Sequence, residues 1–177
     1  MTSTERRDPP LIADEQTMLL AWLDFHRDTL RLKTEGLTSD QLSAPLPPST
    51  LTLGGLLKHM ALVEDHWFSV VLLGNDKAEP WRDIDWDADP DWEFHSAFDD
   101  SPEDLRRWFD DACAASDRAL KRVLADGGLD ALAERESRHT GGKFSLRWIV
   151  THMIEEYARH NGHADLIRES IDGSTGD

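Results

Sequence analysis

The feature that most restricts the fold of this chain is a helical run, from Phe144 to Ile171, whose inner face carries ionisable side chains. With Ile149 as zero and roughly 100° per residue, Glu156 lies near −20° and His160 near +20° on the helical wheel. A buried carboxylate without a partner is strongly unfavourable, so such a group is normally hydrogen-bonded, ion-paired or bound to a metal. The run therefore predicts a long helix that turns polar side chains inward. The same face carries Met153, His163 and Ile167.

Three more segments show apolar residues at helical spacing, with capping residues where helices would begin and glycines where they would end. Thr52 can cap the second helix, and Ser101 followed by Pro102 is a strong start signal for the third. We predict an all-α protein, a four-helix bundle forming a single domain over 1–177. Its main helices are predicted over 14–35, 52–73, 102–126 and 144–171.

The segments between these helices have no clear period. Residues 75–100 are dense in Asp and Trp and predict a long acidic, Trp-rich loop between helices two and three, with at most short helical turns. Residues 127–143 predict a polar loop, and no hairpin signal is visible. Periodicity alone leaves the helix topology open.

Composition excludes several classes of partner. Thirty-five acidic residues against nineteen basic ones give a formal net charge of −16, which would repel a nucleic acid backbone and an anionic membrane surface. The longest apolar stretch, Val70 to Leu73, is far too short to span a membrane. The first residues lack the apolar region of a secretion signal, and the single cysteine, Cys113, cannot form an intramolecular disulfide. We expect a cytoplasmic location.

Three side chains form a candidate metal site. Glu156 and His160 stand one helical turn apart, and His59 lies in the middle of the apolar face of the second helix. Two imidazole nitrogens and one carboxylate oxygen suit Zn²⁺, Ni²⁺, Fe²⁺ or Mn²⁺ and leave coordination positions open. Core histidines paired with neighbouring side chains are the alternative, and the spacing alone does not decide between the two.

Other histidines compete for the same role. His163, His152 and His66 are the main candidates for orienting the ligands through hydrogen bonds instead of binding the metal, and His26 is a further possible donor. The spacing differs from the HExxH pattern of zinc proteases, so protease chemistry has no support.

Two segments, Gly36 to Phe68 and Arg147 to Glu169, resemble the DinB-like metal-binding four-helix bundles, most closely the actinobacterial mini-circle-type branch. The resemblance implies that His59, Glu156 and His160 hold a divalent metal, with Zn²⁺ and Ni²⁺ as the first candidates. Glutamate stands at 156 where many members have histidine, although mycothiol-dependent maleylpyruvate isomerase is similar in using a His/Glu/His set.

The resemblance also implies a chemistry. Characterised relatives are S-transferases and isomerases that use a low-molecular-weight thiol such as mycothiol or bacillithiol, and an open metal position lowers the pKa of a bound thiol. We therefore expect a metal-dependent thiol S-transferase or isomerase with a small-molecule substrate, with homodimer formation as an option. A non-catalytic metal-binding or stress-related protein and a metal-dependent hydrolase remain alternatives.

Overall fold

The computed structural model describes residues 6–175, which are mostly helical. None of the helices within this range is both long and apolar enough to cross a membrane. The elements in chain order are α1 (Glu15–Thr34), α2 (Ser39–Leu42), α3 (Leu53–Glu64), a π-helix (Asp65–Leu72), a 3₁₀ turn (Trp81–Asp83), α4 (Trp92–Ser96), a 3₁₀ turn (Ala97–Asp99), α5 (Pro102–Gly127), a 3₁₀ turn (Gly128–Asp130), β1 (Leu132–Glu136), β2 (Lys143–Ser145) and α6 (Leu146–Asp172).

The long helices begin at residues whose side chains accept hydrogen bonds from free backbone N–H groups. Thr52 accepts from the amide of Gly55 at 3.0 Å at the start of α3, and Ser101 accepts from the amide of Asp104 at 3.1 Å at the start of α5. Because the first amides of a helix have no partner within it, these contacts fix where each helix starts.

The core forms where the long helices pack side by side. α1 runs against α6, while α3 and the π-helix run against α5. Burial of apolar side chains between these helices is the main stabilising contribution to the fold. The innermost side chains include Leu23, Leu30, Leu56, Met60, Phe68, Phe109, Ile149, Met153 and Tyr157.

The absence of a hairpin was a wrong prediction. Strands β1 and β2 pair antiparallel between α5 and α6, with Leu132 opposite Ser145 and Glu136 opposite Lys143. The strands are short and mostly exposed, with charges instead of an apolar alternation, and the connection over 137–142 lacks the two-residue turn that marks a hairpin in sequence. The fully buried Ala133 and the partly buried Phe144, whose ring centre lies 5.2 Å from that of Trp67, anchor the hairpin to the core.

The acidic segment after the π-helix is fastened to α3 by a buried lysine. The Lys58 ammonium donates to Ser96 Oγ at 2.7 Å, pairs with Asp100, and lies 4.3 Å from the ring centre of Trp92 and 4.9 Å from that of Trp108. Ion pairing and aromatic faces together compensate for the burial of this charge. Lys58 therefore holds α4 against α3.

A second buried charge network joins three of the long helices. The guanidinium of Arg27 donates to both oxygens of Glu64, from Nε at 2.7 Å and from Nη2 at 2.8 Å, and the Tyr157 hydroxyl donates to Glu64 Oε1 at 2.7 Å. Arg27 is 1% exposed and Glu64 is fully buried. Burial alone would raise the pKa of Glu64, but the charge and hydrogen bonds of Arg27 lower it below 4.5.

Candidate metal centre

Side chains from α3 and α6 converge on one point. His59, Glu156 and His160 each offer a donor atom, and these three atoms all lie within 4.8 Å of one another. Glu156 Oε2 lies 3.5 Å from His160 Nε2, and the rings of His59 and His160 are 4.9 Å apart, edge to face. Their side chains are 20%, 17% and 12% exposed, in the order His59, Glu156 and His160. The group is therefore sheltered but reachable.

This partial exposure follows from the phase of α6. The most deeply buried residues of the helix, including Met153, Tyr157 and Ala164, lie on a sector centred roughly 60° from Ile149 on the wheel. Glu156, near −20°, therefore lies on the flank of the buried sector and His160, near +20°, lies just inside its edge, whereas the sequence predicted that both point straight inward. A flank position suits a site that small molecules must reach.

The imidazole of His59 has two close neighbours on α4. Its Nδ1 lies 2.9 Å from Glu93 Oε1, and its ring stacks on Phe94 with the ring centres 4.8 Å apart. Glu93 was not predicted from the sequence, because it lies 34 residues from His59 in an acidic segment without a clear period. The helix that carries it, Trp92–Ser96, is too short for its sequence to show a buried face.

His160 can act as a ligand through Nε2, which faces Glu156. Its Nδ1 is buried and has no hydrogen-bond partner among residues 6–175. Burial first, and then the nearby His59, His163 and Arg159, lower the pKa of His160 to about 4. The imidazole is therefore neutral at neutral pH, which is the form that binds a metal ion.

Two of the other predicted histidines lie beside this group. His152 Nε2 is 3.5 Å from Glu156 Oε1, and its ring stacks on Trp148 at 5.0 Å. The His163 ring is 5.5 Å from that of His160, and its buried Nδ1 has no hydrogen-bond partner. Neither belongs to the three-donor group, although His152 forms a second, more exposed cluster with Glu155 and Glu156.

The remaining two histidines lie elsewhere. His66 is exposed and packs edge-on against Trp67, outside both donor clusters found within 6–175. Its predicted place beside His59 assumed a regular α-helix, but the π-helix from Asp65 changes the direction of the side chains that follow. His26 contacts Trp22 and Asn161 instead.

Comparison with known protein families decides the family. The model of the mycothiol S-transferase family matches residues 18–173, which is most of the chain and includes all three donors. The chain belongs to the mycothiol S-transferase family. Because this family is part of the DinB-like superfamily, the resemblance to DinB-like proteins inferred from the sequence is confirmed. A search of curated proteins found no match.

The part of the chain that matches the mycothiol S-transferase family includes α3, the segment with Glu93, the hairpin and α6. Two imidazole nitrogens and one carboxylate oxygen form a mixed donor set, which suits a divalent ion of intermediate softness such as Zn²⁺ or Ni²⁺. The approach of Glu156 Oε2 to His160 Nε2, at 3.5 Å, fits such an ion.

Proposed function

We propose that this chain is a metal-dependent S-transferase that uses a low-molecular-weight thiol of the mycothiol type, with His59, Glu156 and His160 as the metal ligands. The observation that carries the proposal is the convergence of these three donor atoms within 4.8 Å, in a chain of this family. Zn²⁺ or Ni²⁺ is the proposed metal, because both accept imidazole and carboxylate ligands.

The ligand set leaves room for a thiol. His59, Glu156 and His160 would hold the ion without completing its coordination, and the bound ion would lower the pKa of a thiol so that thiolate is present at neutral pH. The single negative charge of Glu156 leaves the site with net positive charge, which favours an anionic sulfur. Phe94 covers one face of His59 and limits water there.

The reaction balances without a redox partner. The thiol gives its proton to solvent water, its sulfur forms a bond to an electrophilic carbon of the small-molecule substrate, and the leaving group departs from that carbon with its bonding electrons. An isomerase would instead release the thiol after the carbon skeleton has rearranged. Both routes begin with the same deprotonated sulfur.

The surroundings of the site support a substrate approach from the side of His152. Trp148 is 45% exposed, and its ring stacks on His152, which in turn contacts Glu156. An exposed aromatic side chain beside reactive groups offers a face on which a substrate can pack.

We also propose that α1, α3, α5 and α6 form the DinB-like four-helix bundle and that the protein works in the cytoplasm.

A conjugation assay tests the function. Purified protein loaded with Zn²⁺ or Ni²⁺ is mixed with mycothiol and the electrophile monochlorobimane, and the fluorescence of the conjugate is followed. We expect conjugation faster than the reaction without protein, and its loss in metal-free protein and in His59→Ala. Metal binding without any acceleration by mycothiol, bacillithiol or glutathione would favour a binding protein or a hydrolase.

A further inference from the structure

We propose that Glu93 is a positioning residue of the metal site, which accepts the Nδ1 proton of His59 and so directs the other ring nitrogen toward Glu156 and His160. The inference rests on the proposed metal site and concerns a residue outside the ligand set. Without such a partner a neutral imidazole can carry its proton on either nitrogen. Only the form protonated at Nδ1 leaves the lone pair of Nε2 free for the metal.

The contact itself assigns the proton. Glu93 Oε1 lies 2.9 Å from His59 Nδ1, within hydrogen-bond distance. An ionised carboxylate can only accept hydrogen bonds, so the nitrogen that faces it must be the one that carries hydrogen. Nε2 is then the unprotonated nitrogen of His59, available as a ligand.

The burial of Glu93 also calls for a charge at the site. The residue is 5% exposed, and its second oxygen, Oε2, is buried and has no hydrogen-bond partner in the part of the chain that the structure describes. A buried carboxylate held by one hydrogen bond is costly unless positive charge lies nearby. A divalent ion on the far side of His59 would provide that charge through the imidazole ring.

The arrangement is held in place independently of any ion. Lys58 and His59 are neighbours on α3, and they contact the neighbours Trp92 and Glu93 on α4. Lys58 also binds Ser96, one turn further along α4. Because this clamp is made of protein groups alone, His59 is oriented before metal arrives, which reduces the ordering cost of binding.

The tautomer of His59 is measurable in the metal-free protein. Long-range ¹H–¹⁵N correlation spectra of the histidine rings distinguish a protonated from an unprotonated nitrogen, and His59→Gln identifies the His59 signals. We expect a protonated Nδ1 and an unprotonated Nε2 in the wild type. Protonation at Nε2 in the wild type would overturn the proposal without any variant of Glu93.

Metal affinity gives the second test, by competition with a zinc indicator. Loss of an orienting carboxylate typically weakens metal binding by about 10- to 100-fold, and we expect a loss in this range for Glu93→Leu. Glu93→Gln keeps an oxygen that accepts from Nδ1 but loses the charge, so its affinity should lie between those of wild type and Glu93→Leu. Thermal unfolding of the metal-free variants shows whether the clamp on α4 persists.

A matched control lies four residues before Glu93. Asp89 contacts Nδ1 of His95 at 3.0 Å, in a similar carboxylate–histidine pair that is largely exposed and outside the donor group. Asp89→Asn should leave the metal affinity unchanged. If both Glu93→Leu and Glu93→Gln bind Zn²⁺ within about twofold of wild type, Glu93 does not position the ligand.

The outcomes separate this inference from the proposed function. Weakened Zn²⁺ binding in Glu93→Leu, with no thiol conjugation by the wild type, would support the role of Glu93 and refute the transferase. Thiol conjugation by both the wild type and Glu93→Leu, with equal affinity for Zn²⁺, would support the transferase and refute the role of Glu93. A wild type that binds no divalent ion would overturn both.

Discussion

Glu156 and His160 face each other across one turn of α6, with Glu156 Oε2 lying 3.5 Å from His160 Nε2. The neighbouring Glu155 lies outside the group formed by His59, Glu156 and His160, is 46% exposed, and accepts a hydrogen bond from Arg159. The two adjacent glutamates therefore differ in environment, and their substitution separates metal binding from general surface charge.

Glu156→Ala should abolish tight binding of Zn²⁺, because it removes the only carboxylate of the proposed ligand set. Glu155→Ala should leave binding nearly intact. Isothermal titration of both variants with Zn²⁺ measures the difference. Loss of binding in both variants would show that the His152, Glu155 and Glu156 cluster holds the ion instead. Loss in Glu155→Ala alone would contradict both assignments.

A methyl group at Gly55 should disturb the metal site by displacing Phe94, the aromatic neighbour of His59. A Cβ there would lie 3.0 Å from Phe94 Cδ1 and 3.1 Å from Thr52 Oγ1, so Phe94, which stacks on His59, must shift. We expect Gly55→Ala to destabilise the fold by about 1–3 kcal/mol, as overpacking does, and to weaken Zn²⁺ binding.

Gly162 on α6 is the matched control for that substitution. A Cβ at this exposed position meets no atom within 4 Å. Gly162→Ala should stabilise the protein by about 0.5–1 kcal/mol through helix propensity and leave Zn²⁺ binding unchanged. Denaturant unfolding and a Zn²⁺ titration check both variants. Equal effects at the two positions would contradict the close packing of α3 and α4.

Removal of Arg27 should be among the most destabilising single changes. Arg27→Met leaves the fully buried Glu64 without its cation, at an expected cost of about 3–5 kcal/mol. Urea unfolding measures the free energy. The double variant Arg27→Met with Glu64→Gln should recover much of the loss, because no uncompensated charge then remains. A double variant as unstable as the single one would contradict this explanation.

The pair formed by Arg27 and Glu64 predicts that the stability of the wild type and that of Arg27→Met change in opposite directions with pH. In the wild type the pKa of Glu64 is lowered below 4.5, so its contribution to stability is present above pH 4.5 and is lost as pH falls through the lower, folded-state pKa. In Arg27→Met burial dominates and raises the pKa of Glu64. That variant should lose stability as pH rises above 4.5, measured by unfolding at a series of pH values.

Cys113 should be inert in the folded protein. The thiol is 3% exposed, and burial, followed by the charge of Glu64, raises its pKa to about 12. Because the thiolate is the reactive form, a thiol reagent should modify Cys113 only after unfolding. Titration with and without denaturant tests this. Rapid modification of the native protein would contradict the assigned burial.

The local parts of this structure are the ones that the sequence predicts. Capping by Thr52 and Ser101 depends on residues three positions apart, and the approach of Glu156 to His160 depends on one turn of helix. Such relations depend on short-range spacing, so the helix starts and the pairing of two of the three donors could be anticipated.

The relations that were missed depend on tertiary contacts. Glu93 reaches His59 only because Lys58 draws α4 onto α3, and Arg27 becomes buried only because Glu64 faces it across the core. No periodicity marks either partner, since charged residues are normally exposed. The π-helix is likewise invisible to a wheel drawn at a fixed angle, which is why His66 was misplaced.

Cobalt spectroscopy tests the central claim most directly, which is that a thiol binds the metal held by His59, Glu156 and His160. The experiment uses Co²⁺-substituted protein in a Cys113→Ser background, so that no protein sulfur from the single cysteine contributes. We predict that mycothiol adds a sulfur-to-cobalt charge-transfer band that is absent in His59→Ala. A cobalt spectrum unchanged by mycothiol, bacillithiol and glutathione would contradict the account.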